Sequence, residues 1–165
     1  MQPGSQGLIL AIDFGTSNTA AAVGALDGQI YMVRLGAGSD TMPSAILRTA
    51  NGWLTGDAAL RSAVLDPTSF EPSPKRRLAD GQVLIGSEFV SAVELVAEVL
   101  KAVIEKVRRL TTVPITTVIL THPDRWGTAT IHQLKTAALG AGIPESILTF
   151  VTEAQAAAAL RMQRD

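Results

Sequence analysis

The sequence predicts an α/β fold: a mixed sheet flanked by helices, with a small inserted subdomain at about 36–86. Three observations carry that expectation. Residues 8–35 read as an antiparallel meander, residues from 88 onward alternate helix and strand, and the text between them is short-ranged and broken by turns. Antiparallel strands followed by alternating units imply parallel strands added to a meander and covered by helices. At 165 residues, 47% apolar and 18% charged, the chain can fill one core of ordinary size.

Residues 1–7 are poor in large apolar side chains and are expected to form a disordered lead-in. Leu8 to Phe14 reads as a buried strand with an acid, Asp13, near its end. Gly15 to Asn18 makes a tight turn, and Thr19 to Gly24 returns. Asp27-Gly28 is a hairpin signal before a third strand, Ile30 to Leu35. Ala45 to Arg48 is a short strand that Asn51-Gly52 folds back through Trp53 to Thr55, ahead of a short helix, Ala58 to Leu65. Asp66 to Asp80 is expected to be the longest irregular stretch, with Lys75-Arg76-Arg77 inside it.

Ser87 is a candidate N-cap for the longest helix, about 88–110. Its apolar positions Phe89, Val93, Val96, Leu100, Val103, Val107 and Leu110 recur every three or four residues, giving one buried stripe. Ile115 to Thr121 is a β-branched strand, followed by a helix over about Thr128 to Leu139 that Gly140 and Gly142 close. Ile147 to Val151 is the last strand. Thr152-Glu153-Ala154-Gln155 has capping-box spacing at the head of an alanine-rich helix.

Composition narrows the function. Fourteen basic against fifteen acidic residues leave a net charge of −1, which argues against broad capture of nucleic acid or anionic membrane. The absence of cysteine excludes disulfide scaffolds, thiolate metal sites and cysteine nucleophiles. No apolar run reaches the roughly 18 residues of a spanning helix, and the first residues lack a secretory signal's positive region. A cytoplasmic protein with no nucleic-acid or membrane partner is expected.

The common phosphate fingerprints and the Gly-x-Ser-x-Gly of serine hydrolases are missing. His122 and His132 stand alone and read as structural. The informative segment is Ile12 to Thr19. A carboxylate on a buried strand is costly without a partner, and a glycine with three small polar residues follows it directly. Such a turn can aim backbone N–H groups and hydroxyls at a phosphate, with Asp13 beside it to hold a hydrated Mg²⁺. The ordinary alternative is a hairpin whose Asp caps its own turn. Glu153 either complements a helix N-terminus or orients a water for attack on phosphate. Lys75-Arg76-Arg77 is either a solvated charge run or the source of a cation for a transferring phosphoryl group.

Taken in order, five segments resemble the first lobe of an Hsp70-type ATPase domain, within the actin/Hsp70/sugar-kinase superfamily. Ala11 to Asn18 resembles the family's first phosphate loop, and Thr41-Met42-Pro43-Ser44 its Pro-Ser segment. Lys75-Arg76-Arg77-Leu78 resembles the stretch carrying the catalytic lysine, and Val118 to Pro123 the strand ending in a switch proline. Val151 to Ala158 resembles the Asn-Glu-Pro-Thr-Ala-Ala-Ala segment. The resemblance runs from about residue 8 to 162.

It implies a ribonuclease H-like (actin-like ATPase) fold, with residues 8–165 forming lobe I of an Hsp70-like chaperone's nucleotide-binding domain. It implies ATP or ADP with Mg²⁺ as cofactors of the parent protein, bound weakly or not at all by this chain alone. Asp13 would serve the Mg²⁺ hydration shell, and Gly15, Thr16 and Ser17 the β- and γ-phosphates. Lys75 would contact the γ-phosphate and attacking water, Glu153 would help orient water and Mg²⁺, and Pro123 would be the switch. Two departures stand against the pattern. Ile131 occupies the relay-arginine position, and Thr152, Ala154 and Gln155 replace the Asn, Pro and Thr of the final segment.

The second phosphate loop and the adenosine-binding motif are not in these 165 residues, so this chain alone is expected to have little or no ATPase activity. A second lobe or a protein partner would complete the cleft, or a homodimer could form through the exposed lobe interface. The alternatives are a non-catalytic interaction module on the actin-like fold, or a lobe of another superfamily member such as a cell-shape filament protein or a reactivating factor.

Overall fold

The computed structural model describes residues 7–25 and 27–162. The expected lead-in lies outside the described residues except for Gly7, which is buried against Thr116 rather than part of a loose start.

The meander forms as three antiparallel strands, β1 (Leu8–Phe14), β2 (Asn18–Gly24) and β3 (Ile30–Met32). A further short strand, β4 (Thr41–Pro43), pairs antiparallel with β2 beside Asn18 to Ala20. Two later strands, β10 (Ile115–His122) and β11 (Leu148–Thr152), join parallel to β1 on its other side. The principal sheet is therefore mixed, in the order β11-β10-β1-β2-β3. β3 ends earlier than expected: Val33 leaves the ladder to β3's partners but stays buried, its N–H bonded to the Ala21 carbonyl.

Between meander and parallel strands lies a mixed insert. Strands β5 (Ile46–Thr49), β6 (Gly52–Thr55) and β7 (Phe70–Glu71) make a second sheet in the order β6-β5-β7, with helix α1 (Gly56–Ser62) against it. The stretch 66–80 is more ordered than its composition suggests. It holds a single 3₁₀ turn at Pro67–Ser69, strand β7, and the four-residue helix α2 (Pro74–Arg77).

The long helix also begins later than expected. Residues 82–91 form a hairpin, β8 (Gln82–Ile85) with β9 (Glu88–Ser91), and α3 runs from Ala92 to Leu110 with Ser91 at its N-cap. Phe89 is consequently 71% exposed on β9 instead of lying in the helical stripe. The stripe itself is wider than the spacing suggested, because Leu95, Val99 and Ile104 are buried beside Val96, Leu100, Val103 and Val107. Helix α4 (Thr128–Gly140) packs on α3. It ends in a Schellman motif, with Ile143 N–H on the Ala138 carbonyl and Gly142 N–H on that of Leu139. Gly142 occupies the left-handed position that closure requires, at φ 86°.

Leu10, Ile12 and Phe14 of β1 share the main core with Leu120 of β10, the α3 stripe and Leu134, Ala137 and Ala138 of α4. Burial along β1 alternates, so Ile9 and Asp13 face the opposite side and are exposed. That side carries α5 (Glu153–Met162) near β10 and β11. No helix among the described residues is long and apolar enough to cross a membrane.

Candidate functional site

The site forms where the C-terminal ends of β1 and β10 meet the head of α5. In a sheet with parallel strands this end collects loops and helix N-termini, and ligands bind there. Asp13 is the last outward-facing residue of β1. It is exposed, which corrects the expectation of a buried acid: strand alternation sends Ile12 and Phe14 into the helices and Asp13 the other way. Its Oδ1 accepts a 2.8 Å hydrogen bond from Thr121 Oγ1 on the neighbouring β10.

The turn after β1 is built around Gly15. Its N–H bonds to the Asn18 carbonyl at 3.0 Å, and a Cβ on Gly15 would lie 2.2 Å from that same oxygen. Ser44 clamps the turn from the segment after β4. Its Oγ donates to the Gly15 carbonyl at 2.8 Å, its N–H to the Ser17 carbonyl at 2.8 Å, and the hydroxyl also meets Thr19 Oγ1 at 2.9 Å. Thr19 and Ser44 are fully buried, whereas Thr16 is half-buried and Ser17 exposed at the tip.

The three consecutive bases go three ways, as roughly 100° of helical rotation per residue requires. Arg76 is exposed, and Arg77 turns to Glu71 with 2.8 Å between Nε and Oε2. Lys75 points inward. Its Nζ donates to the Phe14 carbonyl at 2.7 Å and to Glu153 Oε1 at 2.9 Å, and its side chain is only 4% exposed. Trp126 covers it from the loop after β10, with Nζ 5.4 Å from the ring centroid, and the Phe14 ring lies 5.9 Å away. An ammonium held between two aromatic faces and a carboxylate is a desolvated, directed charge.

Glu153 opens α5, and the capping box beside it forms as its spacing predicted. Thr152 N–H donates to Gln155 Oε1 at 2.9 Å and Gln155 N–H to Thr152 Oγ1 at 3.1 Å. The carboxylate of Glu153 is half exposed, so its pair with Lys75 is screened on the solvent side. Asp13, Thr121, Glu153 and Met32 line one cleft of about 350 Å³ floored by Ala11, Ala20 and Ala22 of the sheet. Pro123 is buried just past β10, and Trp126 N–H bonds to its carbonyl at 3.2 Å. His122 is buried beside it, 6.5 Å from Trp126 and 6.4 Å from Phe150 between ring centroids.

Asp13, Lys75 and Glu153 thus converge, with Gly15 adjoining them, although they come from residues as far apart as 13 and 153. Four further residues adjoin the candidate site: Ser44 and Thr121, which lie in segments of the resemblance but carried no role there, and Trp126 and Glu71, which nothing in the sequence singled out. Thr121 joins the site through the parallel register that sets the end of β10 beside the end of β1. Glu71 and Trp126 act through tertiary packing that no local spacing encodes.

The residues present fit a hydrated divalent cation shared with phosphate. Among the described residues no three His, Cys, Asp or Glu side chains cluster to cage a metal. One exposed carboxylate beside a turn too tight for a Cβ suits an ion that keeps its waters and leans on phosphate oxygens.

No family model matches the chain. The chain is similar to the chaperone protein DnaK of Thermotoga petrophila and to that of Thermotoga maritima, each 28% identical over 152 residues. The match covers 91% of this chain and 25% of each relative, so the chain spans about a quarter of the length of the curated relatives it matches.

Proposed function

We propose that this chain is the first lobe of an Hsp70-like nucleotide-binding domain, on a ribonuclease H-like (actin-like) fold, and forms one wall of a cleft for Mg²⁺-ATP or Mg²⁺-ADP. The single observation that carries the reading is the meeting of Lys75 with the end of β1 and with Glu153 beside Asp13. The sheet order β11-β10-β1-β2-β3 supports the fold, and the similarity to DnaK over nine-tenths of the chain supports the family.

Phosphoryl transfer is mostly positioning and electrostatics, and each residue has a part in it. The Gly15–Ser17 turn offers backbone N–H groups and hydroxyls to the phosphates. Lys75 supplies a fixed cation for the terminal phosphoryl group, and Thr121 orients the Asp13 carboxylate. Glu153, released from Lys75 when phosphate takes the ammonium, holds a water through its free oxygens. A Mg²⁺ held through water by Asp13 would neutralise phosphate charge. In this reading Ile9, Ile30 and Met32, exposed on the open face of the sheet, look toward a second lobe or a partner that closes the cleft. One wall alone hydrolyses ATP little or not at all.

Ile131 favours a second reading for the wider role. It is half-buried on α4 where the resemblance expects an arginine, so binding without relay to a further domain fits an interaction module on the same fold.

Calorimetric titration with Mg²⁺-ADP and Mg²⁺-ATP tests the reading. Weak, saturable binding is expected, and Asp13→Ala is expected to lower it about tenfold or more, the loss of one charge-assisted contact. Equal affinity in the wild type and in Asp13→Ala contradicts this site.

A further inference from the structure

We propose that Glu71 is a positioning residue that sets the aim of Lys75, and that the Glu71–Arg77 pair forms a brace for the phosphate-facing ammonium. The functional half of this inference rests on the reading of the nucleotide site given above.

Helix α2 has four residues, far too few to hold itself in water. Its orientation must come from outside. Pro74 and Leu78, four apart and so on one face, are buried and turn that face inward. Glu71 adds the hydrogen bonds that hold the turn in that orientation at both ends. It stands in β7, paired across to Ile46 of β5, so its backbone is part of the insert's sheet. Its side chain is 5% exposed and both oxygens are used. Oε1 accepts the Ser73 N–H at 2.8 Å, at the entrance of α2, and Oε2 accepts Arg77 Nε at 2.8 Å, at its exit. One carboxylate therefore holds both ends of the turn whose second residue is Lys75.

The chemistry suits the task. A buried carboxylate is retained only where charge and hydrogen bonds compensate it, and here they come from α2 itself. The bond to Glu71 raises the Arg77 guanidinium above its ordinary pKa, with a smaller contribution from Asp80. Arg77 also meets Asp80 at 3.2 Å, which ties the brace to the turn leading into β8. Rotation of α2 by a fraction of a turn would swing Lys75 away from the Phe14 carbonyl, Glu153 and Trp126 together.

Site-resolved acetylation of the folded chain tests the brace. Lys75 is buried and Lys101 is half exposed on α3, so Lys75 reacts far more slowly with an N-hydroxysuccinimide acetate. Glu71→Gln is expected to raise the Lys75 rate, relative to Lys101, by about tenfold through local opening. Arg77→Met changes a half-exposed side chain, keeps the fold, and is expected to act in the same direction, with Arg77→Lys restoring part of the protection. An unchanged Lys75-to-Lys101 ratio in both Glu71→Gln and Arg77→Met overturns the brace. Mg²⁺-ADP titration of the same variants tests the functional half. Affinity is expected to fall about tenfold in Glu71→Gln, and an affinity equal to wild type with Lys75 exposed overturns it. If the wild type itself binds no nucleotide, the nucleotide reading fails while the acetylation ratio still judges the brace.

Discussion

Gly15→Ala is expected to destabilise the chain by about 2–3 kcal/mol and lower its melting temperature by roughly 5–10 °C. The added methyl would stand 2.2 Å from the Asn18 carbonyl oxygen, less than a contact distance. That oxygen is backbone and already accepts the Gly15 N–H, so no side-chain rotation relieves the overlap. The turn must open, and opening pulls the Gly15 and Ser17 carbonyls away from Ser44. Gly127→Ala is the matched control. A Cβ at Gly127 meets nothing within 4 Å, and its φ of −77° suits any residue. That variant is expected to stay within about 1 kcal/mol of wild type, the cost of replacing the Gly N-cap of α4 by Ala. Thermal or urea unfolding of the pair checks the contrast, and equal midpoints would contradict the turn geometry on which the proposed phosphate site depends.

Lys75→Met is expected to separate function from stability. The thioether keeps the volume of the side chain between Phe14 and Trp126 while removing the charge. Two hydrogen bonds are lost, at 2.7 and 2.9 Å, but a buried charge no longer has to be desolvated, and Glu153 can turn to solvent. The net change in folding stability is expected to be about 1–2 kcal/mol or less. Mg²⁺-nucleotide affinity is expected to fall about 10- to 100-fold, the worth of one directed cation on phosphate. Equilibrium unfolding and calorimetry on one preparation give both numbers. A large loss of stability with unchanged affinity would make Lys75 a structural lysine.

The parts of this molecule that were readable in the sequence are those whose signals are local. Asp27-Gly28 reports its own hairpin, and Thr152 and Gln155 report their own cap. The start of α3 misled for a physical reason. Phe89 and Val93 are four apart, which imitates a helical stripe, whereas Gly86 turns at φ 62° between two short strands. Helix α2 carries too few residues to show any period. Asp13 sits in a run of apolar residues that reads as buried on both faces, yet one face of β1 is open at that point. The residues proposed for the site stand out in the sequence, whereas the contacts between them do not. Asp13, Gly15, Lys75 and Glu153 stand out as residue types at turns and helix ends. Nothing local distinguishes Lys75 from Arg76 as the base that turns inward, because the choice is made by Glu71, Pro74 and Leu78 through packing.

In the proposed site, phosphate is received by the Gly15–Ser17 turn and Lys75, beside Asp13 and Glu153. Amide NMR of the uniformly labelled chain, titrated with Mg²⁺-ADP, tests it most directly. Saturable shifts are expected, centred on Gly15, Thr16, Ser17 and Asp13 and extending to Lys75 and to the indole N–H of Trp126. Saturable shifts centred instead on the cavity lined by Ile104, Val113, Ile143 and Ile147 at the other end of β10, or no shifts at millimolar nucleotide, would contradict it.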